Sequence, residues 1–289
     1  MRLQHVIEAV FHRPWLITPS GHASIASLIE SKIAAGNIQT PRRADGSDYA
    51  VSVFGETVVA SRGVDFFSGE QLPGMTIAGG VAEIPIHGVI GQRVGMIEKS
   101  CGAVDVGDIE NELEQAESDP MVRAVLLNID SPGGMVAGTF ELADRISSST
   151  KPNWSFADGQ VGSAAYALAS ATGGLFGTRG SEWGSIGVYV PWMDKSGLYA
   201  NMGVKVKVFS SGTYKGMGYP GTELTAEQEL FLQSSVNEIA DDFYSHVRGN
   251  RGNISDDVMQ GQMFSAKNAK LSGLIDGLVS NKAELVRMI

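Results

Sequence analysis

The chain has 289 residues, of which 43% are hydrophobic and 19% charged, and a formal net charge of −10. The length fits about two domains or one large α/β core with an extension, and the apolar content is sufficient for a sizeable core. An acidic chain lacks the basic surface that broad nucleic-acid binding requires. The single cysteine, Cys101, excludes an internal disulfide and a multi-cysteine zinc site. We expect no metal and no cofactor.

The first 80 residues differ in character from the rest, and we interpret them as an N-terminal arm with helical segments. Residues 22–36, HASIASLIESKIAAG, have the spacing of a short amphipathic helix. Glu8, Arg13 and Pro14 interrupt the first apolar stretch, which therefore does not resemble a secretory signal. Because no run of about 18 apolar residues occurs, we expect no membrane association and a cytoplasmic protein.

From residue 81 the pattern becomes that of an α/β protein. Strands are predicted at 81–90, 123–130 and 154–159, and helices at 104–120 and 135–149. The run RAVLLNID at 123–130 is apolar almost throughout, as in a strand buried on both faces. This alternation of strand, glycine turn and helix predicts a layered fold with crossover connections.

The second half of the chain adds one predicted strand and a long predicted helix. Residues 204–212, VKVKVFSSG, alternate in polarity like a strand. The helix is predicted over 225–252, with a capping pair at its start, Thr225 and Gln228, and a glycine at its end. The remaining residues favour helices joined by short turns.

Three glycine-associated sites follow predicted strands, where α/β folds usually place active sites. SPGG at 131–134 is either a tight turn or a loop whose backbone N–H groups approach a ligand. Ser163 is either a helix N-cap or a nucleophile at the positive end of a helix dipole. Lys215, in SSGTYKGMG, is either a solvated loop charge or a general base. The second role requires burial that keeps the amine neutral.

The order of these motifs resembles peptidase family S49, which includes signal peptide peptidase A and the phage capsid-maturation proteases of the protein C type. The motifs are SPGG, then GSAAY, then GSIGV, then the glycine-flanked lysine. The late segment AKLSGLIDGLV at 269–279 is similar to the family pattern A-x-x-x-G-L-x-D. The resemblance covers about residues 81–280.

The resemblance implies a serine/lysine dyad. Ser163 matches the nucleophile, and Lys215, 52 residues later, matches the general base. Ser185, in WGSIGV, matches the serine that orients the lysine amine. The oxyanion hole would be formed by the backbone N–H of Gly133 or Gly134 together with that of Ala164.

The resemblance also implies a crotonase-like or Clp-like spiral of ββα units that assembles into a ring or dome. We therefore expect an N-terminal arm at 1–80, with helical segments, and a peptidase domain at 81–289 that ends in a helical region. Residues 11–25, FHRPWLITPSGHASI, resemble the segment that precedes the protease core in the phage and prophage branch. The chain has no apparent membrane anchor, which favours capsid maturation over disposal of signal peptides.

The predicted function is that of a serine endopeptidase that cleaves capsid or scaffold proteins, in the host cytoplasm or inside a phage procapsid. One alternative is degradation of small peptides in the manner of signal peptide peptidase A. Another is a non-catalytic binding or assembly protein on a crotonase-like scaffold, although the joint presence of Ser163, Lys215 and Ser185 argues against it.

Other catalytic groups receive less support from the sequence. A Ser-His-Asp triad would need a histidine in a motif, and four histidines lie in the arm or the late helix while His87 falls in a predicted strand. Cys101 has no candidate base around it. No spacing of histidines or carboxylates indicates a metal site.

Overall fold

The computed structural model describes residues 15–18, 52–54, 57–65 and 70–289. The strands are β1 (Trp15–Ile17), β2 (Ser52–Phe54), β3 (Thr57–Val64), β4 (Gln71–Ala78), β5 (Val81–His87), β6 (Val89–Gly91), β7 (Ala103–Asp105), β8 (Ala124–Asp130), β9 (Gly133–Met135), β10 (Asn153–Ala157), β11 (Gln160–Gly162), β12 (Leu175–Gly177), β13 (Glu182–Gly184), β14 (Met263–Ser265) and β15 (Gly277–Leu278). The helices are α1 (Met96–Ser100), α2 (Val106–Ser118), α3 (Thr139–Ser147), α4 (Ala164–Ser170), α5 (Ser196–Asn201), α6 (Ala226–Arg251), α7 (Ala266–Leu271) and α8 (Lys282–Met288), with a short 3₁₀ turn at Asp256–Val258.

The largest sheet has eight strands in the order β15-β12-β10-β8-β5-β4-β3-β2. Its first five strands run parallel to one another, while β4, β3 and β2 add antiparallel beyond β5. The central strand β8, AVLLNID, is buried along most of its length, which agrees with its continuous apolar sequence. The predicted strand at 123–130 is therefore confirmed.

The fold repeats a unit of two strands and a helix, as the resemblance implied. In the units β8-β9-α3 and β10-β11-α4, the first strand lies in the large sheet and the second leaves it for a smaller sheet. The smaller sheets have the orders β1-β9-β6-β7 and β11-β13-β14. The α/β class and the ββα spiral are confirmed, and each unit delivers a chain turn to the same region between the sheets.

The described part of the first 80 residues forms strands. β2, β3 and β4 extend the large sheet, and a turn at Gly79 and Gly80 joins β4 to β5. Their sequences are rich in valine, threonine and isoleucine, which favour strands. The predicted helix at 22–36 lies outside the described residues. The sheet therefore continues across residue 80, while the division into an arm and a peptidase domain stays a prediction.

The predicted strand at 204–212 is wrong. Residues 204–210 have no regular secondary structure, and Phe209 is 86% exposed. The alternation of polar and apolar residues is present, but a strand also needs a neighbour that takes up its backbone hydrogen bonds. The sequence pattern could not supply that information.

The long helix predicted at 225–252 is confirmed as α6. Thr225 and Gln228 form the reciprocal capping box, and Gly252 ends the helix with a φ of 77°. The helix contacts α4, and its C-terminal half buries Phe243 and Val247 completely in the core. None of the helices in the described ranges is long and apolar enough to span a bilayer.

Helix α4 lies in the middle of the core. All seven of its residues, AAYALAS, are buried, and its many alanines let neighbouring elements approach closely. The one large polar side chain, Tyr166, donates a hydrogen bond from its hydroxyl to the carbonyl of Leu274 over 2.8 Å. Burial raises the pKa of the Tyr166 hydroxyl, which therefore stays neutral. The helix is held rigidly at the point where Ser163 precedes it.

Candidate active site

Two serines leave adjacent strands side by side. β11 and β13 pair in parallel with Gly162 opposite Gly184, and the next residues are Ser163 and Ser185. The N–H of Ser163 donates to the carbonyl of Gly184 over 2.8 Å. Because parallel strands end at one edge of a sheet, the register places both serines at the same edge. The resemblance implied three catalytic residues, Ser163, Lys215 and Ser185. The structure places two of them, Ser163 and Ser185, next to each other.

Both serines have an unusual backbone conformation. Ser163 has a φ of 53° and Ser185 a φ of 52°, and Arg93 is the only other described non-glycine residue with a positive φ. Holding a side-chain-bearing residue in such a sparsely populated backbone conformation costs about 1–3 kcal/mol. Strain of this kind concentrates at functional sites, where the surrounding packing maintains it. Here it turns the chain sharply from each strand.

The hydroxyl of Ser163 does not cap α4, although the residue occupies the N-cap position. The side chain is 1% exposed, and its hydroxyl donates a long hydrogen bond of 3.4 Å to the carbonyl of Gly187. An N-cap serine would instead accept from an N–H of the first helical turn. The capping interpretation of Ser163 is therefore not the one that the structure adopts, and the first N–H groups of α4 remain without an acceptor in the helix.

The glycine turn at 131–134 lies against the strand that leads to Ser163. The N–H of Gly162 donates to the carbonyl of Ser131 over 3.0 Å, and Ser131 and Val161 form a parallel bridge. Gly133 has a φ of 106°, which only glycine adopts readily, and its N–H donates to the hydroxyl of Ser131 over 3.1 Å. The turn therefore carries Gly133 and Gly134 to the side of the nucleophile candidate.

Gly134 and Ala164 are the two other residues that the sequence analysis assigned to an oxyanion hole. A Cβ atom on Gly134 would lie 1.9 Å from the carbonyl oxygen of Ile90, so no side chain fits there. Ala164 is the first residue of α4, and its N–H belongs to the turn that has no acceptor within the helix. Their role in an oxyanion hole stays a prediction, while the close approach of β6 to Gly134 is a feature of the tertiary structure.

Lys215 does not lie beside Ser163 in this structure. The lysine is exposed in a run of turns at 211–218. It lines a shallow depression with residues of its own segment and of the start of α6, including Val208, Thr213 and Gln228. The hydroxyl of Ser163 bonds only to Gly187 among the described residues. The general base implied by the resemblance is thus separate from the nucleophile within one chain.

The late segment 269–279 has a structural role. The carboxylate of Asp276 accepts a hydrogen bond from the N–H of Leu175 over 2.8 Å and pairs with Arg251 over 2.7 Å. Burial by itself would raise the pKa of Asp276, but these hydrogen bonds outweigh burial and hold the pKa below its usual value. The pair ties the end of α6 to the large sheet, beneath the contact between Tyr166 and Leu274.

Of the competing catalytic groups, those that the structure describes (His87, His246 and Cys101) are not assembled around Ser163. The Nε2 atom of His246 lies 3.0 Å from the carbonyl of Ala167, inside α4, and His87 is exposed at the end of β5. Cys101 is half-buried and precedes β7, in a different sheet. Within the described ranges no three histidine, cysteine or carboxylate groups are clustered in a way that suits a metal ion.

One strand beside the candidate site was not predicted from the sequence. β1 pairs antiparallel with β9, the strand that carries Gly133 and Gly134. The signal was present as four residues with high strand propensity, WLIT, between Pro14 and Pro19. We interpreted this region only as part of an arm. The pairing partner, more than a hundred residues away, could not be identified from the pattern.

Comparison with known proteins identifies the family. Residues 145–288 match the model of peptidase family S49. The chain belongs to peptidase family S49. Over 285 residues, 96% of this chain, it is 30% identical to the head-tail preconnector protein GP5 of Enterobacteria phage P21 and 27% identical to the capsid assembly protease C of Escherichia phage lambda. This S49 chain spans 55% and 64% of the length of those two relatives.

A solved structure of a ClpP1 mutant from Listeria monocytogenes is also similar to this S49 chain. The two structures superpose with a TM-score of 0.47 and 16% sequence identity, and the matched region covers 70% of this chain and 94% of the Listeria chain.

Proposed function

We propose that the chain is a serine endopeptidase in which Ser163 is the nucleophile and Lys215 the general base. The observation that carries this proposal is the state of Ser163: a buried serine in a strained conformation, at the start of a buried helix, whose hydroxyl caps nothing. A serine kept in this way has no evident structural use. Membership of family S49 supports the same assignment.

The proposed reaction uses Ser163, Ser185 and the backbone N–H groups at this edge of the sheet, together with Lys215 once it has been brought to them. The Ser163 hydroxyl attacks the peptide carbonyl while the neutral Lys215 amine accepts its proton. The N–H of Ala164 and that of Gly133 or Gly134 stabilise the oxyanion. Lys215 then donates the proton to the leaving amine, and water hydrolyses the acyl-enzyme with Lys215 as base. Ser185 orients the lysine amine.

Lys215 must approach Ser163 for this chemistry, and we infer that a neighbouring copy of the chain delivers it. The segment 189–225 has little contact with the core and exposes large apolar side chains, among them Leu198, Met202 and Phe209. Apolar surface of this extent is typical of an interaction site. Assembly of copies into a ring or dome would cover it and would bury the lysine amine in the same step.

The proposed substrates are capsid and scaffold proteins of a phage. The supporting observation is that two relatives, which match almost the whole of this chain, are named as a head-tail preconnector protein and a capsid assembly protease. The reaction would then take place in the host cytoplasm or inside a procapsid.

The decisive experiment is labelling with a fluorophosphonate probe combined with a cleavage assay. The chain is co-expressed with the capsid and scaffold proteins encoded beside it. The masses of those proteins are then measured by intact mass spectrometry. We expect labelling and cleavage in the wild type, and neither in Ser163→Ala. Lys215→Ala should lower the cleavage rate by at least about 100-fold, as expected for loss of a general base.

Lys205→Ala is the matched control, because Lys205 is an exposed lysine on the same segment. It should keep wild-type cleavage. Unlabelled assemblies would indicate a binding or assembly protein. Labelled assemblies that cleave short peptides and leave all capsid and scaffold masses unchanged would indicate peptide degradation.

A further inference from the structure

A segment near the N-terminus lies on the strand that carries the candidate oxyanion glycines. β1 pairs antiparallel with β9, with Leu16 opposite Gly134 and Ile17 opposite Gly133. β6 occupies the other side of β9. β1 therefore takes the edge of β9 that faces away from β6, and an added extended peptide would need this same edge.

The backbone of this segment uses the polar groups of the glycine strand. The N–H of Thr18 donates to the carbonyl of Pro132 over 2.8 Å. Hydrogen-bonded positions alternate along an antiparallel pair, so the next such position joins Leu16 and Gly134. The backbone groups of Gly134, which the proposed mechanism assigns to the oxyanion hole, therefore face Leu16.

The segment is also packed directly beside the nucleophile candidate. A Cβ atom on Gly162, the residue before Ser163, would lie 2.8 Å from the Cγ2 atom of Thr18. A Cβ atom on Gly133 would lie 2.2 Å from the carbonyl oxygen of Leu16. Leu16, Ile17 and Thr18 are all buried. The segment and the candidate site therefore share one surface.

The pairing is short. Pro14 and Pro19 have no N–H to donate and bracket four residues. Because hydrogen-bonded positions alternate, only Leu16 and Thr18 of these four can donate a backbone N–H to β9. The β1 strand itself has three residues. Separating a strand with so few hydrogen bonds costs less free energy than separating a long strand. A permanent strand of the sheet would be expected to be longer.

We propose that Trp15–Thr18 occupies the substrate-strand position of this protein and competes there with the peptide to be cleaved. This inference rests on the proposed function, since it assigns the substrate position of the same site. It makes the arm an internal competitor: the enzyme is restrained while β1 lies on β9 and becomes competent when a substrate strand replaces it.

The side chains of Trp15–Thr18 also indicate which substrate peptides fit this position. Successive side chains of a strand point to opposite faces, so the burial of both Leu16 and Ile17 means that both faces of the added strand are covered by protein. The preferred substrate is thus an extended segment with apolar side chains at two consecutive positions. Backbone pairing supplies affinity, and the two covered positions supply selectivity.

A permanent structural strand is the alternative, because Leu16 belongs to the main hydrophobic core. The two interpretations differ in the effect of weakening β1. Removal of a structural strand lowers stability without raising activity. Displacement of a competitor raises activity, because a larger fraction of the molecules can then bind substrate.

The first experiment compares Leu16→Ala, Ile17→Ala and the double variant with Met121→Ala in the full chain. Met121 is an exposed apolar residue between α2 and β8 and serves as the control. The assay is hydrolysis of a fluorogenic peptide with paired apolar residues, with fluorophosphonate labelling of Ser163 in the same samples. We expect kcat/KM to rise by about tenfold in the double variant through a lower KM, and to stay unchanged in Met121→Ala.

The second experiment uses the wild type and is independent of how the variants fold. Hydrogen exchange at residues 15–18 is measured with and without a peptidyl boronate that reacts with Ser163. We expect these amides to lose protection when the boronate binds. A synthetic peptide of residues 13–19 should inhibit the double variant competitively, and the same peptide with aspartates at the Leu16 and Ile17 positions should not.

The outcomes separate this inference from the proposed function. If Ser163 is labelled while the variants hydrolyse peptide no faster than the wild type and residues 15–18 stay protected, the inference is wrong and the peptidase assignment stands. If Ser163 is labelled in neither the wild type nor the variants, the proposed function fails and the inference fails with it.

Discussion

At the scale of single residues, the candidate site is distinguished by strain and by unused polar groups. Ser163 and Ser185 hold positive φ values on neighbouring strands, and the N–H groups at the start of α4 have no partner in the helix. A fold under no functional constraint would place glycine at such turns and would let the serine cap the helix. The combination indicates a site that trades stability for a positioned hydroxyl.

This strain has a measurable signature in the free energy of unfolding. Ser163→Gly should unfold with a free energy about 1 kcal/mol higher than Ser163→Ala, because glycine adopts a positive φ without a steric penalty. Both variants lack the hydroxyl and should be inactive. The measurement is urea unfolding followed by circular dichroism.

Ser170 provides the control within the same helix. It is buried and helical, so the order of the two substitutions should reverse there, with Ser170→Gly about 1 kcal/mol less stable than Ser170→Ala. Equal stabilities of the two Ser163 variants would show that the turn stores no strain.

At the scale of elements, the long helix α6 has two different halves. Its C-terminal half buries Phe243 and Val247 in the core, and Arg251 pairs with Asp276. Its N-terminal half leaves Leu230 and Phe231 largely exposed, next to the segment that carries Lys215. Helix α6 therefore connects the buried helix α4, which follows Ser163, with the exposed surface that we assign to assembly.

Two phenylalanines on α6 test this division. Phe243→Ala should lower the free energy of unfolding by about 3–5 kcal/mol, since it removes a fully buried ring. Phe231→Ala should lower it by less than about 1 kcal/mol, because this ring is 47% exposed and contacts only Tyr214 among the ring pairs described. Thermal unfolding of dilute samples measures both. Similar losses for the two variants would contradict the division.

At the scale of the whole molecule, one chain does not bring the two residues of the proposed dyad together. Ser163 lies in the core, and Lys215 lies on an exposed segment with apolar side chains that have no cover. A symmetric assembly repeats one contact around a ring, so a lysine from each copy can serve the serine of the next. Catalysis would then depend on assembly, and dilution would inactivate the protein.

Mixing inactive variants tests whether the dyad forms between copies. Ser163→Ala and Lys215→Ala chains are each inactive in the proposed mechanism, but mixed assemblies would contain sites with Ser163 from one chain and Lys215 from another. For random mixing at equal amounts, we expect about a quarter of the wild-type peptidase activity.

Mixtures of either variant with the doubly substituted chain are the control, because no complete site can form in them. Assembly is followed by light scattering. No recovery in assemblies that scatter like the wild type would show that the dyad forms within a single chain.

The sequence by itself determined the features that depend on neighbours in the chain. The apolar strand β8, the glycine turns and the capping box of Thr225 and Gln228 arise from local propensity and short-range hydrogen bonds. The motif order was enough for the resemblance to peptidase family S49, and through it for the ββα fold and for the pair Ser163 and Ser185.

Only the tertiary structure decided the features that depend on distant partners. The pairing of β1 with β9, the absence of a strand at 204–210 and the separation of Lys215 from Ser163 all turn on which segments meet in space. A strand pattern states that a segment can pair, while its partner is selected by the packing of the whole chain. For this reason the positions of the candidate residues along the chain were predictable from the sequence, and the segment that pairs with β9 was not.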